Sequence, residues 1–106
     1  MTIYENAAKY LSQIKDELVA MQAWSATPIE AHRLLDMGAF GTKTMAFTEW
    51  LQFVLIPRVQ HIIDTKGDFP AQSNIAAFAW REFDGLPNTQ HLCTILTAFD
   101  DLFNQP

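Results

Sequence analysis

Five residues near the middle of the chain are of types that do chemistry: Phe40, Glu49, Trp50, Gln52 and Arg58. The last four flank Pro57 within one apolar run. A proline inside a helix offers no N–H to the carbonyl four residues back, and its ring presses on that carbonyl. A kink and a free acceptor are therefore expected at Phe53. Arg58 follows directly and carries five donors in a rigid fork. Gln52 also needs partners if buried, since an unpaired buried amide costs on the order of 1–3 kcal/mol. Two readings follow. In one, Arg58 is an internal clamp that donates to the carbonyls freed by Pro57, or to a carboxylate such as Asp100 on the last helix. In the other, Phe40, Glu49, Trp50, Gln52 and Arg58 form a recognition surface, because Trp and Arg are enriched among the residues that dominate binding. The clamp is the preferred reading of Arg58, because backbone acceptors lie close at hand.

Other chemistry is sparse in the sequence. It contains no nucleophile elbow, P-loop, dinucleotide fingerprint or paired cysteines for zinc, so no catalytic residue, cofactor or metal is assigned. His32, His61 and His91 fall on three different predicted helices and are read as surface or capping residues. Cys93 has no basic neighbour in sequence and is read as a small buried hydrophobe rather than a reactive thiol. Asp100 and Asp101 are adjacent and point about 100° apart on a helix, a poor acid/base pair, so a solvated face or a local ion pair is expected.

Five helical segments position these residues. Tyr4, Ala7, Leu11, Ile14, Leu18 and Met21 step by three and four, and Thr2 with Glu5 has the capping-box spacing, so a first helix is predicted from residue 3 to about Trp24. Thr27, Pro28 and Glu30 repeat the start signal for a short helix over 28–36. Gly38 and Gly41 then bracket Phe40, an aromatic anchor in a flexible segment. The run from Met45 to Lys66 is apolar nearly all round about Trp50 to Ile56 and is predicted to be the central helix, ending on a left-handed cap at Gly67. A helix over 74–83 and a last one carrying Leu92, Ile95, Leu96, Phe99, Leu102 and Phe103 on one face complete the set.

Composition bounds the whole. A chain of 106 residues, 49% hydrophobic and 18% charged, fits one folded domain spanning 1–106. The net charge of -5 disfavours direct nucleic-acid binding. With one cysteine, charged residues where a signal peptide would be apolar, and no stretch near the roughly 20 apolar residues of a membrane span, a cytoplasmic location without an anchor is expected.

The block Phe40-x-x-x-Thr44-Met45-x-x-x-Glu49-Trp50-Leu51-Gln52-x-Val54-x-Ile56-Pro57-Arg58 resembles the YqcC-like family, small bacterial proteins sometimes labelled after tRNA pseudouridine synthase C. Weaker agreement extends to Trp24, Pro70, Ile75, Asp100 and Leu102. Ala39, Lys43 and Phe53 depart from the family pattern, in which a proline, an acidic residue and a second tryptophan are usual. The resemblance implies a compact helical bundle and a link to tRNA modification, without making the chain a synthase, since it has neither the length nor the strands.

The fold expected is all-α, a compact antiparallel bundle of four main helices plus a short one. The function expected is a non-catalytic protein-interaction module, accessory to tRNA pseudouridine synthesis, with a protein partner such as a pseudouridine synthase and self-association left open. The alternative is a small-ligand-binding or enzymatic bundle in which Glu49, Arg58 and a histidine meet near the Pro57 kink.

Overall fold

The first helix starts where its capping box puts it. In the computed structural model, which describes residues 2–104, α1 spans Ile3–Ala20. The Glu5 N–H donates to Thr2 Oγ1 at 3.1 Å, and the Thr2 N–H to Glu5 Oε1 at 3.4 Å. The stripe of Ala7, Leu11, Ile14 and Leu18 is buried, with Met21 packed partly against the same core. The helix stops four residues before the predicted end. Gln22 adopts a positive φ of 60°, and the Ala23 N–H closes back on the Leu18 carbonyl. This is a left-handed cap made without glycine, and so without a glycine to signal it.

The predicted helix over 28–36 is not formed as such. Only a 3-10 turn, Ala31–Leu34, appears, and Pro28 is exposed ahead of it. The cause is tertiary: Arg33 Nε donates to the Thr44 carbonyl at 3.0 Å, and Thr44 Oγ1 donates to the Arg33 carbonyl at 2.6 Å. Those bonds hold the segment against the start of the central helix, where a longer regular helix would carry Arg33 away. A second 3-10 turn, Ala39–Gly41, follows. Gly38 (φ 76°), Phe40 (φ 54°) and Gly41 (φ 71°) all sit at positive φ. Gly41 is obligatory on a second ground, since a Cβ there would approach Met45 Cγ to 2.7 Å.

The central helix is continuous in three pieces: α2 (Phe47–Trp50), a π-helical turn (Leu51–Leu55) and α3 (Ile56–Thr65). The π turn is how the chain accommodates Pro57. The Ile56 N–H reaches five residues back to the Leu51 carbonyl, so the ladder is already widened where the proline ring arrives. Trp50, Leu51, Gln52, Val54 and Leu55 are buried. The helix packs against α1 and, through Phe47 on Phe78 (5.0 Å between rings) and Phe83 (5.7 Å), against the segment that follows. At its end Lys66, not Gly67, takes the left-handed cap (φ 55°, ψ 36°). The Tyr4 hydroxyl donates to the carbonyls of Lys66 (3.0 Å) and Gly67 (2.9 Å), and the Lys66 ammonium lies 5.1 Å from the Tyr4 ring centre. Those contacts offset the roughly 1–2 kcal/mol that a non-glycine residue loses there.

Two helices close the bundle, α4 (Ile75–Glu82) and α5 (Gln90–Phe103). Leu92, Ile95, Leu96, Phe99 and Phe103 enter the core as the spacing predicts. No strand occurs among the described residues, and the fold is an all-α bundle of four helices. Its radius of gyration, 13.5 Å, is that of a packed chain of this length, about 13 Å for 100 residues.

Candidate functional site

Four of the five central residues are engaged inside the protein. The Gln52 amide makes two bonds to one residue: Oε1 accepts from the Ser25 N–H at 2.8 Å and Nε2 donates to the Ser25 carbonyl at 2.9 Å. The partners that a buried glutamine requires are thus the backbone of the segment leaving α1. Glu49 Oε1 accepts from the Ala46 N–H at 2.9 Å, half of a capping box, since Ala46 has no side-chain oxygen to return the bond. The same oxygen accepts from Arg33 Nη2 at 2.8 Å. Phe40 stacks on Phe78 with ring centres 4.6 Å apart and meets Trp50 edge-on at 5.2 Å. Trp50 in turn stacks on Phe47 at 5.9 Å.

Arg58 is the exception and corrects the clamp. Its side chain is exposed, and it has no hydrogen bond or ion pair among the described residues. The π turn shifts the pairing ahead of Pro57, with the Ile56 N–H on the Leu51 carbonyl, and the Arg58 side chain takes no part in it. Asp100, the other proposed partner, is engaged elsewhere. It is buried and accepts from Ser73 Oγ and from the N–H groups of Ile75 (3.2 Å) and Ala76 (2.7 Å), capping α4 from another helix. The expectation of a solvated Asp100 is therefore wrong, while Asp101 does face solvent. The clamping arginine is Arg33.

Arg58 stands at an apolar cleft of about 150 Å³ between the central helix and the Phe69–Ile75 segment. Trp50, Leu55, Val59, Phe69, Phe99 and Phe103 supply its apolar walls, and Ser73 its other polar side chain. The Ser73 hydroxyl is already bonded to Asp100. Among the described residues, Arg58 is thus the one ionisable side chain lining the cleft, and its donors are free. Sequence reasoning picked out Trp50 and Arg58 but missed Phe69, Pro70 and Ser73. The signal available was Phe69 and Pro70 directly after a helix stop.

The remaining candidates lie apart. The exposed His32 is 3.9 Å from Glu30, and His91 Nδ1 is 2.8 Å from Glu17 Oε2 across α1 and α5. No group of three His, Cys, Asp or Glu side chains suited to a metal occurs among the described residues. Cys93 is buried, and loss of solvation pushes its thiol above the ordinary value. No helix of the described residues is long and apolar enough to cross a membrane.

A family model described as "tRNA pseudouridine synthase C" matches residues 6–102. The chain belongs to this family, the YqcC-like proteins. An uncharacterised protein of Haemophilus influenzae is 31% identical over 99 residues, covering 91% of each chain. The uncharacterised protein YqcC of Escherichia coli is 30% identical over 78 residues, covering 74% of this chain and 72% of that one. The solution structure of E. coli YqcC superposes with a TM-score of 0.86 at 27% identity, over 97% of this chain and 89% of that one. The bundle described above is therefore the YqcC-like fold.

Proposed function

We propose that the chain is a non-catalytic protein-interaction module, accessory to tRNA pseudouridine synthesis in the cytoplasm, and that it meets its partner at the cleft beside Arg58. One observation carries the reading. Arg58 is a free, exposed arginine at the rim of an apolar recess that reaches the core aromatics. An arginine beside a recess that admits an apolar anchor has the make-up of an interface hot spot. The family description supplies the link to pseudouridine synthesis. The groups that an enzymatic site near Pro57 would gather lie apart: Glu49 is held by Arg33 and the Ala46 amide, and no histidine lines the cleft.

The test is calorimetric titration of the purified chain with the tRNA pseudouridine synthase C of the same cell. A saturable complex is expected, weakened at least tenfold by Arg58→Ala with an unchanged melting curve. Absence of a complex, or equal binding by the variant, sinks the reading.

A further inference from the structure

The cleft's own chemistry restricts what enters it. Its volume, about 150 Å³, matches that of an engineered apolar cavity that takes up benzene, so a phenyl-sized group fits it. Trp50, Phe69 and Phe103 line the cleft, and an aromatic guest against such rings gains beyond simple burial. The polar requirement is equally narrow. Ser73 is occupied by Asp100 and Asn104, leaving the Arg58 guanidinium as the free donor group. Of the other cations, Arg33 pairs with Glu49 and Lys15 and Lys66 lie over the rings of Trp24 and Tyr4, while Lys9, Lys43 and Arg81 line no part of this cleft. On a chain of net charge -5, an uncommitted cation beside an apolar slot marks a place where a negative group is attracted rather than repelled. A guanidinium fork pairs bidentately with a carboxylate or a phosphate, and the net charge of -5 disfavours the phosphate backbone of a nucleic acid, which leaves a protein carboxylate.

We infer that the cleft binds an acidic segment of a partner protein, with one aromatic side chain seated between the central helix and Phe69 and a neighbouring Asp or Glu carboxylate paired with Arg58. This rests on the interaction-module reading and specifies the partner's chemistry. The aromatic group supplies burial, and the carboxylate fixes which segment is accepted. A basic segment would bring a like charge to Arg58 and be rejected.

The test uses the full ¹⁵N-labelled chain and NMR titration with a blocked pentapeptide that has phenylalanine at its centre and glutamates on either side. Saturable shifts of the Trp50 indole N–H and the Arg58 Nε–H are expected. Binding should weaken at least tenfold when lysines replace the glutamates or alanine replaces the phenylalanine. It should weaken similarly in Arg58→Ala, and less in Arg58→Lys, with both variants melting as the parent does. Equal binding of the lysine peptide, or equal binding by Arg58→Ala, overturns the inference. Phenylacetate binding as tightly as the glutamate peptide also overturns it, in favour of a small carboxylate ligand. If the synthase binds through Arg58 while the glutamate peptide does not, the acidic-segment inference fails and the module reading stands. If neither binds, both fail.

Discussion

Asp100 lies on α5, yet its carboxylate accepts from the backbone N–H of Ala76 on α4 at 2.7 Å. It also takes the Ile75 N–H and the Ser73 hydroxyl, so the first turn of a short helix is capped from outside its own sequence. At 6% exposure, no water would replace those bonds easily if the carboxylate were removed. Asp100→Ala is expected to lower stability by on the order of 1.5–3 kcal/mol, the range for a charged hydrogen bond lost in a buried place. Asp101→Ala, one residue on and exposed, should stay within about 0.5 kcal/mol of the parent. Urea denaturation of the two variants side by side checks both.

The Gln52 amide ties the central helix to Ser25 by a donor and an acceptor together. Gln52→Leu fills similar space but strands both backbone groups of Ser25, which lie only partly in solvent. A loss of about 1–3 kcal/mol is expected, read from thermal melts. An unchanged melting temperature would show that water takes over both bonds.

Much of this fold is legible in the sequence because helical periodicity records which face is covered. The stripe on α1, the apolar circumference about Leu51 and the face of α5 all appear where the spacing puts them. What periodicity does not record is which partner a polar group finds across the bundle. Arg33 bonds Thr44 and Glu49, and so keeps the segment after Pro28 from forming the helix that its start signal promises. Lys66 adopts the left-handed cap in place of Gly67 because Tyr4, at the far end of α1, holds it there. Within the central block, residue types pointed correctly to Gln52 as needing partners. They pointed wrongly to Arg58 as the clamp, since the π turn ahead of Pro57 leaves no mark in composition.

Leu51 is fully buried at the π turn, and Val54 nearly so. Leu51→Ala is expected to cost about 2–5 kcal/mol, through lost transfer energy and the cavity left behind. Val54→Ala removes less hydrocarbon and should cost less. Chemical denaturation of each variant measures the difference. A loss under about 1 kcal/mol at Leu51 would mean that the π turn collapses to fill the space.

Cys93 is buried in α5, and desolvation raises its thiol above the ordinary 9.0. The folded state then holds its proton to higher pH than the unfolded chain does. The resulting stability is fully present below about the ordinary value and is lost as pH rises through the folded value. Two outcomes follow: slow reaction of the native protein with a thiol reagent at neutral pH, and a melting temperature that falls less above pH 9 in Cys93→Ala than in the parent. Rapid labelling of the native protein would contradict the burial.

Arg33 and Arg58 separate the internal clamp from the free cation. Arg33 joins three elements at once, donating to the Thr44 carbonyl at 3.0 Å and to Glu49 Oε1 at 2.8 Å while its own carbonyl receives the Thr44 hydroxyl. Its side chain is about a quarter exposed, so solvent screens part of the ion pair. Arg33→Ala is expected to cost about 1–2 kcal/mol, mostly through the charge-assisted bonds that order the segment from Ala31 to Thr44. Arg58→Ala removes no intramolecular bond and should leave the melt within about 0.5 kcal/mol of the parent. The two variants should also differ in where their effects fall. Amide exchange should quicken between residues 31 and 46 in Arg33→Ala, and stay at parental rates throughout in Arg58→Ala. A large stability loss in Arg58→Ala would restore the clamp and remove the basis for a binding site at the cleft.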